Sequence, residues 1–252
     1  MSIMSLDCGT QFECPQLTVL IEDVAALSDE DYALARRQGL GASDSSVLLG
    51  CNPYKKIEQL IIEKRSKHIT DEERAIKTKE AVRKGFDLEP LILSKYAKLM
   101  ETDEPTKPKA MYQINDAPYL TINFDGVGKV LNDYGDVEYL IPVECKFVTV
   151  YGDKYYNRKH AFKREFGEST LCRKCRPYTD TFDRIKAKAE QIGIPPYYYT
   201  QVQQQIHGLN APFGYLCALH DKGWETVVYM VPRDEECISA IKIYGAKAWQ
   251  QI

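Results

Sequence analysis

The chain has 252 residues, a mass of 28.8 kDa, a net charge of −3 and 44% hydrophobic against 27% charged residues, values that describe a globular protein able to bury a good core. No apolar run approaches the length of a membrane span and the N-terminus lacks a basic-then-apolar signal pattern. An intracellular protein with a cytoplasmic location is therefore expected.

One domain is the economical reading. Residues 1–17 show no periodicity and are expected to form a loose tail, with the domain proper spanning 18–252. Thr18 to Ile21 reads as a short strand. Ser28-Asp29-Glu30-Asp31 is a capping box that starts a helix running to Gln38 and stopping at Gly39. In Arg36-Arg37-Gln38-Gly39-Leu40-Gly41-Ala42-Ser43-Asp44, Ser43 is suited to N-cap a short helix that ends at Gly50. A helix start with a hydroxyl and an arginine nearby suits a phosphate. Plain capping explains the serine and Gly39 but leaves the arginine pair and Gly41 unaccounted for.

Lys56 to Lys67 is predicted as a helix with Ile57, Leu60, Ile61 and Lys64 on one face, and Thr70 caps a charged helix through Lys84. Pro90 predicts a break over Gly85–Pro90, with helix resuming from Leu91 to Met100. Glu89 then lies at that break among apolar neighbours, a costly place for a carboxylate unless it is paired or bound to metal. Three β-prone segments follow: Lys109–Ile114, Tyr119–Phe124 with its continuation Val127–Leu131, and Tyr139–Val148. Helices are expected over Thr181–Gln191 and Tyr197–Leu209, then strands Phe213–Leu219 and Glu225–Val231 and a final helix Asp234–Gln251.

The chemistry centres on Asp125-Gly126 and Glu144-Cys145-Lys146. Along a strand Glu144 and Lys146 share one face and Cys145 points to the other. If the two strands pair as a hairpin turning at Asn132–Asp136, Asp125 sits opposite them. Two carboxylates are enough to hold Mg²⁺, and a lysine beside them can handle a proton or balance charge on a phosphate under attack. A surface ion pair on an edge strand gives the same spacing. On the helix Tyr197–His207, Tyr198, Gln201 and Gln205 fall on one face, suited to a phosphate, a base edge or simple packing in a bundle, with His207 read as structural.

Between residues 151 and 196, eleven Lys/Arg face six acids, with aromatics such as Tyr151, Tyr155 and Phe166 interleaved, a composition that suits a nucleic-acid backbone plus stacking. A solvated loop with a few core anchors looks much the same. Of the eight cysteines, only Cys172 and Cys175 have metal-ligand spacing, and no second pair accompanies them. The others are expected as free thiols.

Five motifs in order carry a family resemblance: Arg36-Arg37-x-Gly39-x-Gly41-Ala42-Ser43-Asp44, Gly85-x3-Glu89-Pro90, Asp125-Gly126, Glu144-x-Lys146 and Tyr198-Tyr199-Thr200-Gln201-Val202-Gln203. The sequence resembles the YqaJ-like viral recombinases, the phage lambda exonuclease group of the PD-(D/E)XK nucleases. The resemblance implies an α+β restriction-endonuclease-like core, a mixed central β-sheet flanked by helices, with 151–196 as a basic insertion. It implies a deoxyribonuclease using Mg²⁺ or Mn²⁺ held by Glu89, Asp125 and Glu144, with Lys146, Gln201 and Tyr198 completing the catalytic group. Ser43 with Arg36 or Arg37 resembles the pocket for a terminal 5′-phosphate. The same resemblance implies a 5′→3′ exonuclease on linear double-stranded DNA, a single-strand annealing protein as recombination partner, and a ring-shaped homotrimer as an assembly, in a bacterial or phage-infected cell. Phe124 departs from the family's proline, and some fifty residues separate Lys146 from Gln201. The placing of Cys172 and Cys175 inside that stretch does not match the iron–sulfur relatives. Two other readings stay open, a restriction-like or structure-directed endonuclease and a non-catalytic DNA-binding or zinc module.

Overall fold

A computed structural model describes residues 2–5, 11–71, 75, 80–161 and 181–252. The chain opens with β1 (Ser2–Ser5) and β2 (Gln11–Cys14), paired antiparallel where a loose tail was expected. β3 (Leu17–Ile21) leads to α1 (Asp29–Ala35), started by Ser28, whose hydroxyl accepts from the Asp31 amide. After one 3-10 turn come β4 (Leu40–Gly41), the short α2 (Ser45–Leu48) and α3 (Ile57–Arg65).

The expected helix break at Pro90 does not occur. α4 runs unbroken from Glu80 to Met100. A proline inside a helix removes the hydrogen bond to the residue four before it. Here that residue is Phe86, itself solvent-exposed, so water can take the freed carbonyl. The buried stripe of α4 is Ile92, Leu93 and Tyr96, while Leu91 is 40% exposed.

Two four-stranded mixed sheets follow from β5 (Met111–Ile114), β6 (Ala117–Ile122), β7 (Gly126–Leu131) and β8 (Val137–Val148). One has the order β3-β5-β6-β4, with β4 parallel to β6. The other is completed after α5 (Thr181–Ile192) and α6 (Pro196–Leu209) by β9 (Phe213–His220) and β10 (Glu225–Pro232), in the order β10-β9-β8-β7. β8 and β9 are parallel, and the crossover they require carries α5 and α6. α7 (Glu235–Trp249), capped by Asp234, closes the chain.

The chain passes from one sheet to the other at Asn123-Phe124-Asp125, between β6 and β7. α6 reaches both sheets, touching β8 and β9 on one side and β6 on the other. A single helix thus ties together the junction where Asp125 sits.

The cations of the 151–196 stretch are partly spent inside the fold. Arg158 pairs with Asp153 and Glu225, Arg184 with Glu236, and Lys188 with Asp234 and Glu236. Cys172 and Cys175 lie outside the described residues, and the five described cysteines are free and buried.

Candidate active site

The β7–β8 hairpin pairs Gly126 with Val143, which brings Asp125 opposite Glu144 and Cys145. Its turn is the expected one: the Asn132 carboxamide accepts from the amides of Tyr134 and Asp136, and Gly135 takes φ +85°, a conformation that favours glycine. Asp125 Oδ2 accepts the Cys145 amide at 3.0 Å. Strand alternation then separates the neighbours. Cys145 joins Ile92, Leu93 and Val143 in an apolar cluster, and Glu144 and Lys146 face α6.

Glu144 is only 1% exposed, and a buried carboxylate is tolerable only with donors around it. It has three. Gln201 donates to Oε1 at 2.5 Å, Gln205 to Oε2 at 2.6 Å, and the Lys146 ammonium bonds Oε1. Burial, with the Asp125 charge adding to it, pushes the Glu144 carboxyl up to about 7. Burial works against the Lys146 ammonium, but Glu144 and Asp125 outweigh it and hold Lys146 above its usual range. The same ammonium lies 4.8 Å from the centre of the Tyr198 ring, a cation–π contact.

α6 divides its glutamines between two tasks. Gln201 and Gln205 serve Glu144, whereas Gln204 donates to the carbonyls of Leu40 and Thr121, accepts from Ser45, and so knits α6 to β4, β6 and α2. Gln203 donates to the Pro232 carbonyl and accepts the Asp234 amide. His207 bonds Asp116, a structural pairing.

Glu89 reaches the site from mid-helix on α4, not from a helix break. It is 7% exposed and ion-paired with Lys107. Burial raises its carboxyl, Asp125 adds to the rise, and Lys107 opposes it, so Asp125 stands electrostatically between Glu89 and Glu144. Gly126 makes the approach of α4 feasible: a Cβ there would lie 2.6 Å from Leu93 Cδ2 and 3.2 Å from Pro105 Cβ.

The arginine pair separates cleanly. Arg36 donates to Ser43 Oγ at 2.9 Å, while Arg37 is buried and holds the carbonyls of Ser66 and His68. Ser43 does not cap α2, because a 3-10 turn over Ala42–Asp44 precedes that helix and the Asp44 carboxylate takes the Gly41 amide instead. Gly39 is extended (φ −170°), and close packing rather than a left-handed cap selects it: a Cβ would lie 2.4 Å from Thr121 Cγ2. Beneath this loop the buried Lys64 bonds Asp44 at 2.8 Å and the carbonyls of Arg36 and Gly39 at 2.8 and 2.7 Å.

Glu89, Asp125 and Glu144 offer hard oxygen ligands of the kind Mg²⁺ and Mn²⁺ prefer. As they stand, however, no group of three or more His, Cys, Asp or Glu among the described residues is arranged to hold an ion. Each carboxylate is engaged by partners of the protein: Lys107 takes Glu89, Gln201, Gln205 and Lys146 take Glu144, and the Cys145 amide takes Asp125 Oδ2. The donor set fits a divalent cation in kind, with Glu89 as the carboxylate whose partner is half in solvent.

Two residues of this cluster escaped the candidate set read from sequence. Gln205 was legible on the face of Tyr198 and Gln201, and only its contact was missing. Lys107 had no signal beyond its place between Pro105 and Pro108, ahead of β5.

Residues 31–208 match the family model described as YqaJ-like viral recombinase domain. Among solved structures, the alkaline exonuclease LHK-Exo from Laribacter hongkongensis is similar at TM-score 0.52 and 14% identity, covering 88% of this chain and 91% of that one. LHK-Exo in complex with dAMP is similar at TM-score 0.51 and 15% identity, over the same shares. At these identities the likeness establishes the fold, of the alkaline-exonuclease, restriction-endonuclease-like type. No curated protein sequence matches.

Proposed function

The chain belongs to the YqaJ-like viral recombinase domain family and is a deoxyribonuclease on that footing; from that premise we propose that it is a divalent-metal-dependent exonuclease that degrades linear double-stranded DNA 5′→3′. One observation carries this reading. Asp125, Glu144 and Lys146 form a connected group at the junction of the two sheets, with Glu89 electrostatically coupled to Asp125.

Glu89, Asp125 and Glu144 would hold Mg²⁺ or Mn²⁺, which when bound would supply an activated water and neutralise charge on the scissile phosphate. The chain's own residues do the rest. Gln201 and Gln205 fix both oxygens of Glu144. Lys146 faces the negative charge that develops on the phosphate under attack and stays protonated to do so. Tyr198, under that ammonium, limits its rotation. Arg36 and Ser43 grip the terminal 5′-phosphate, which selects ends over internal linkages, and α6 joins this pocket to the carboxylates through Ser45 and Gln204. LHK-Exo binds dAMP, and a deoxynucleoside monophosphate is the product proposed here. The single-stranded 3′ tail that remains would pass to an annealing protein in recombination, and a homotrimeric ring would enclose the duplex.

The test compares linear duplex, with and without a 5′-phosphate, against covalently closed circular duplex, each in Mg²⁺ and in EDTA. Release of mononucleotides from phosphorylated linear duplex in Mg²⁺ alone is expected. Cutting of the closed circle would point to an endonuclease instead.

A further inference from the structure

Lys107 belongs to none of the sequence motifs, yet its ammonium bonds Glu89. Its backbone is fixed. Thr106 and Val127 exchange both amide–carbonyl hydrogen bonds, at 3.0 and 2.8 Å, which pins the loop to the start of β7, two residues from Asp125. The side chain is not fixed. The Lys107 side chain is 52% exposed against 9% for that of Glu89, so in this pair the carboxylate is held and the lysine is free to leave on its flexible stem. A cleft of about 300 Å³, lined by Glu89, Leu93, Glu104 and Lys107, gives it room.

Charge counting gives the pair a purpose. With all three carboxyls ionised, as cation binding requires, Glu89, Asp125 and Glu144 carry three negative charges, and Lys146 and Lys107 return two. Lys146 is committed to Glu144 and Tyr198. Only Lys107 is displaceable, and it occupies the carboxylate that a cation would need. With Lys107 withdrawn, the net charge of the group is −2, which one divalent cation neutralises.

We propose that Lys107 is a displaceable counter-ion: it holds Glu89 while the site lacks a divalent cation, and when a cation takes that carboxylate its ammonium turns to a phosphate of the bound DNA. The inference rests on the reading of Glu89 and Asp125 as metal carboxylates. It makes Lys107 a positioning residue that couples cation entry to the grip on substrate. A merely structural lysine would weaken both cation and DNA binding when removed, whereas a counter-ion competes with the first and assists the second.

The experiment uses the whole chain. Mn²⁺ binding is measured by calorimetry without DNA, and binding of a 5′-phosphorylated duplex by fluorescence anisotropy in Ca²⁺, for wild type, Lys107→Met and Lys107→Arg. Lys107→Met should bind Mn²⁺ about two- to fivefold tighter, the scale of a part-exposed ion pair that no longer competes. Its DNA affinity should fall, with the slope of log K against log salt smaller by about 0.9, one phosphate contact. Lys107→Arg should restore both values toward wild type. Mn²⁺ binding by Lys107→Met that is unchanged or weaker, or an unaltered salt slope, would overturn the proposal while leaving the nuclease reading intact. Wild type that binds no Mn²⁺, or binds it equally well as Asp125→Asn, would overturn the metal site and this proposal with it.

Discussion

Gln205 donates its side-chain amide to Glu144 Oε2 at 2.6 Å, one helical turn beyond Gln201, which donates to Oε1 at 2.5 Å. One helix face therefore meets both oxygens of a buried carboxylate. Removing Gln205 leaves Oε2 without a donor in the interior. Gln205→Ala should lose about 1–3 kcal/mol of stability, read from urea unfolding in EDTA. Its turnover on linear duplex should fall with little change in KM, because the loss lies in orienting Glu144. Wild-type turnover in Gln205→Ala would mean that Glu144 needs no second amide.

Gly126→Ala tests how closely α4 must approach Asp125. The new Cβ meets Leu93 Cδ2 at 2.6 Å and Pro105 Cβ at 3.2 Å, so the Leu93 side chain must give way, and where its buried surroundings block that, α4 moves away from Asp125. Glu89 rides on α4, and a misplacement of about 1 Å costs on the order of a hundredfold in rate. The variant should fold, bind duplex DNA, and cleave it about a hundredfold more slowly. Unimpaired cleavage would show that the separation of Glu89 from Asp125 is not critical.

Lys64 ties Asp44 to the loop proposed to bind the 5′-phosphate, and the pair predicts an acid limb of stability. Burial alone would raise the Asp44 carboxyl, but Lys64 and Arg36 outweigh burial and hold it below the usual carboxylate range. Its folded-state value is thus lower than its unfolded value of about 3.9. The stabilisation is complete above that unfolded value and is lost as pH falls below about 4 toward the folded one. Thermal melts across pH 2–6 should show a shallower acid limb in Asp44→Asn than in wild type. Lys64→Met, which strands the buried Asp44 charge, should cost about 3–5 kcal/mol at neutral pH.

Arg36 and Arg37, adjacent in sequence, should behave differently. Arg36 is bonded to Ser43, so Arg36→Gln and Ser43→Ala should both lower the rate ratio of 5′-phosphorylated to 5′-hydroxyl duplex toward unity, and Ser43→Ala should do so with stability kept within about 0.5 kcal/mol. Arg37 holds two carbonyls of the segment after α3, so Arg37→Gln should lower the melting temperature and leave that ratio unchanged. A ratio that responds to Arg37 and ignores Arg36 would reverse the assignment.

Much of this site was legible before any coordinates. The two-residue period of β8 put Glu144 and Lys146 on one face, and the turn residues Asn132 and Gly135 fixed the hairpin that brings in Asp125. The 3.6-residue period of α6 aligned Tyr198, Gln201 and Gln205. What resisted reading depended on tertiary partners. Pro90 looked like a helix breaker because the sequence does not show that Phe86 faces solvent. Arg36 and Arg37 had equal claims until the 3-10 turn after α1 sent one to Ser43 and the other to Ser66. Lys107 is eighteen residues from Glu89, a distance at which no local pattern links two charges.

The Asp125–Glu144–Lys146 group is proposed to hydrolyse DNA with a divalent cation. The direct measurement is mononucleotide release from a 5′-phosphorylated linear duplex by wild type and by Asp125→Asn, each in Mg²⁺ and in EDTA, alongside duplex binding. Wild type should release nucleotides in Mg²⁺ and none in EDTA, and Asp125→Asn should bind duplex yet release at least about a hundredfold more slowly, the scale of removing one preorganised electrostatic contact. Degradation that persists in EDTA, or that Asp125→Asn leaves at the wild-type rate, would contradict the account.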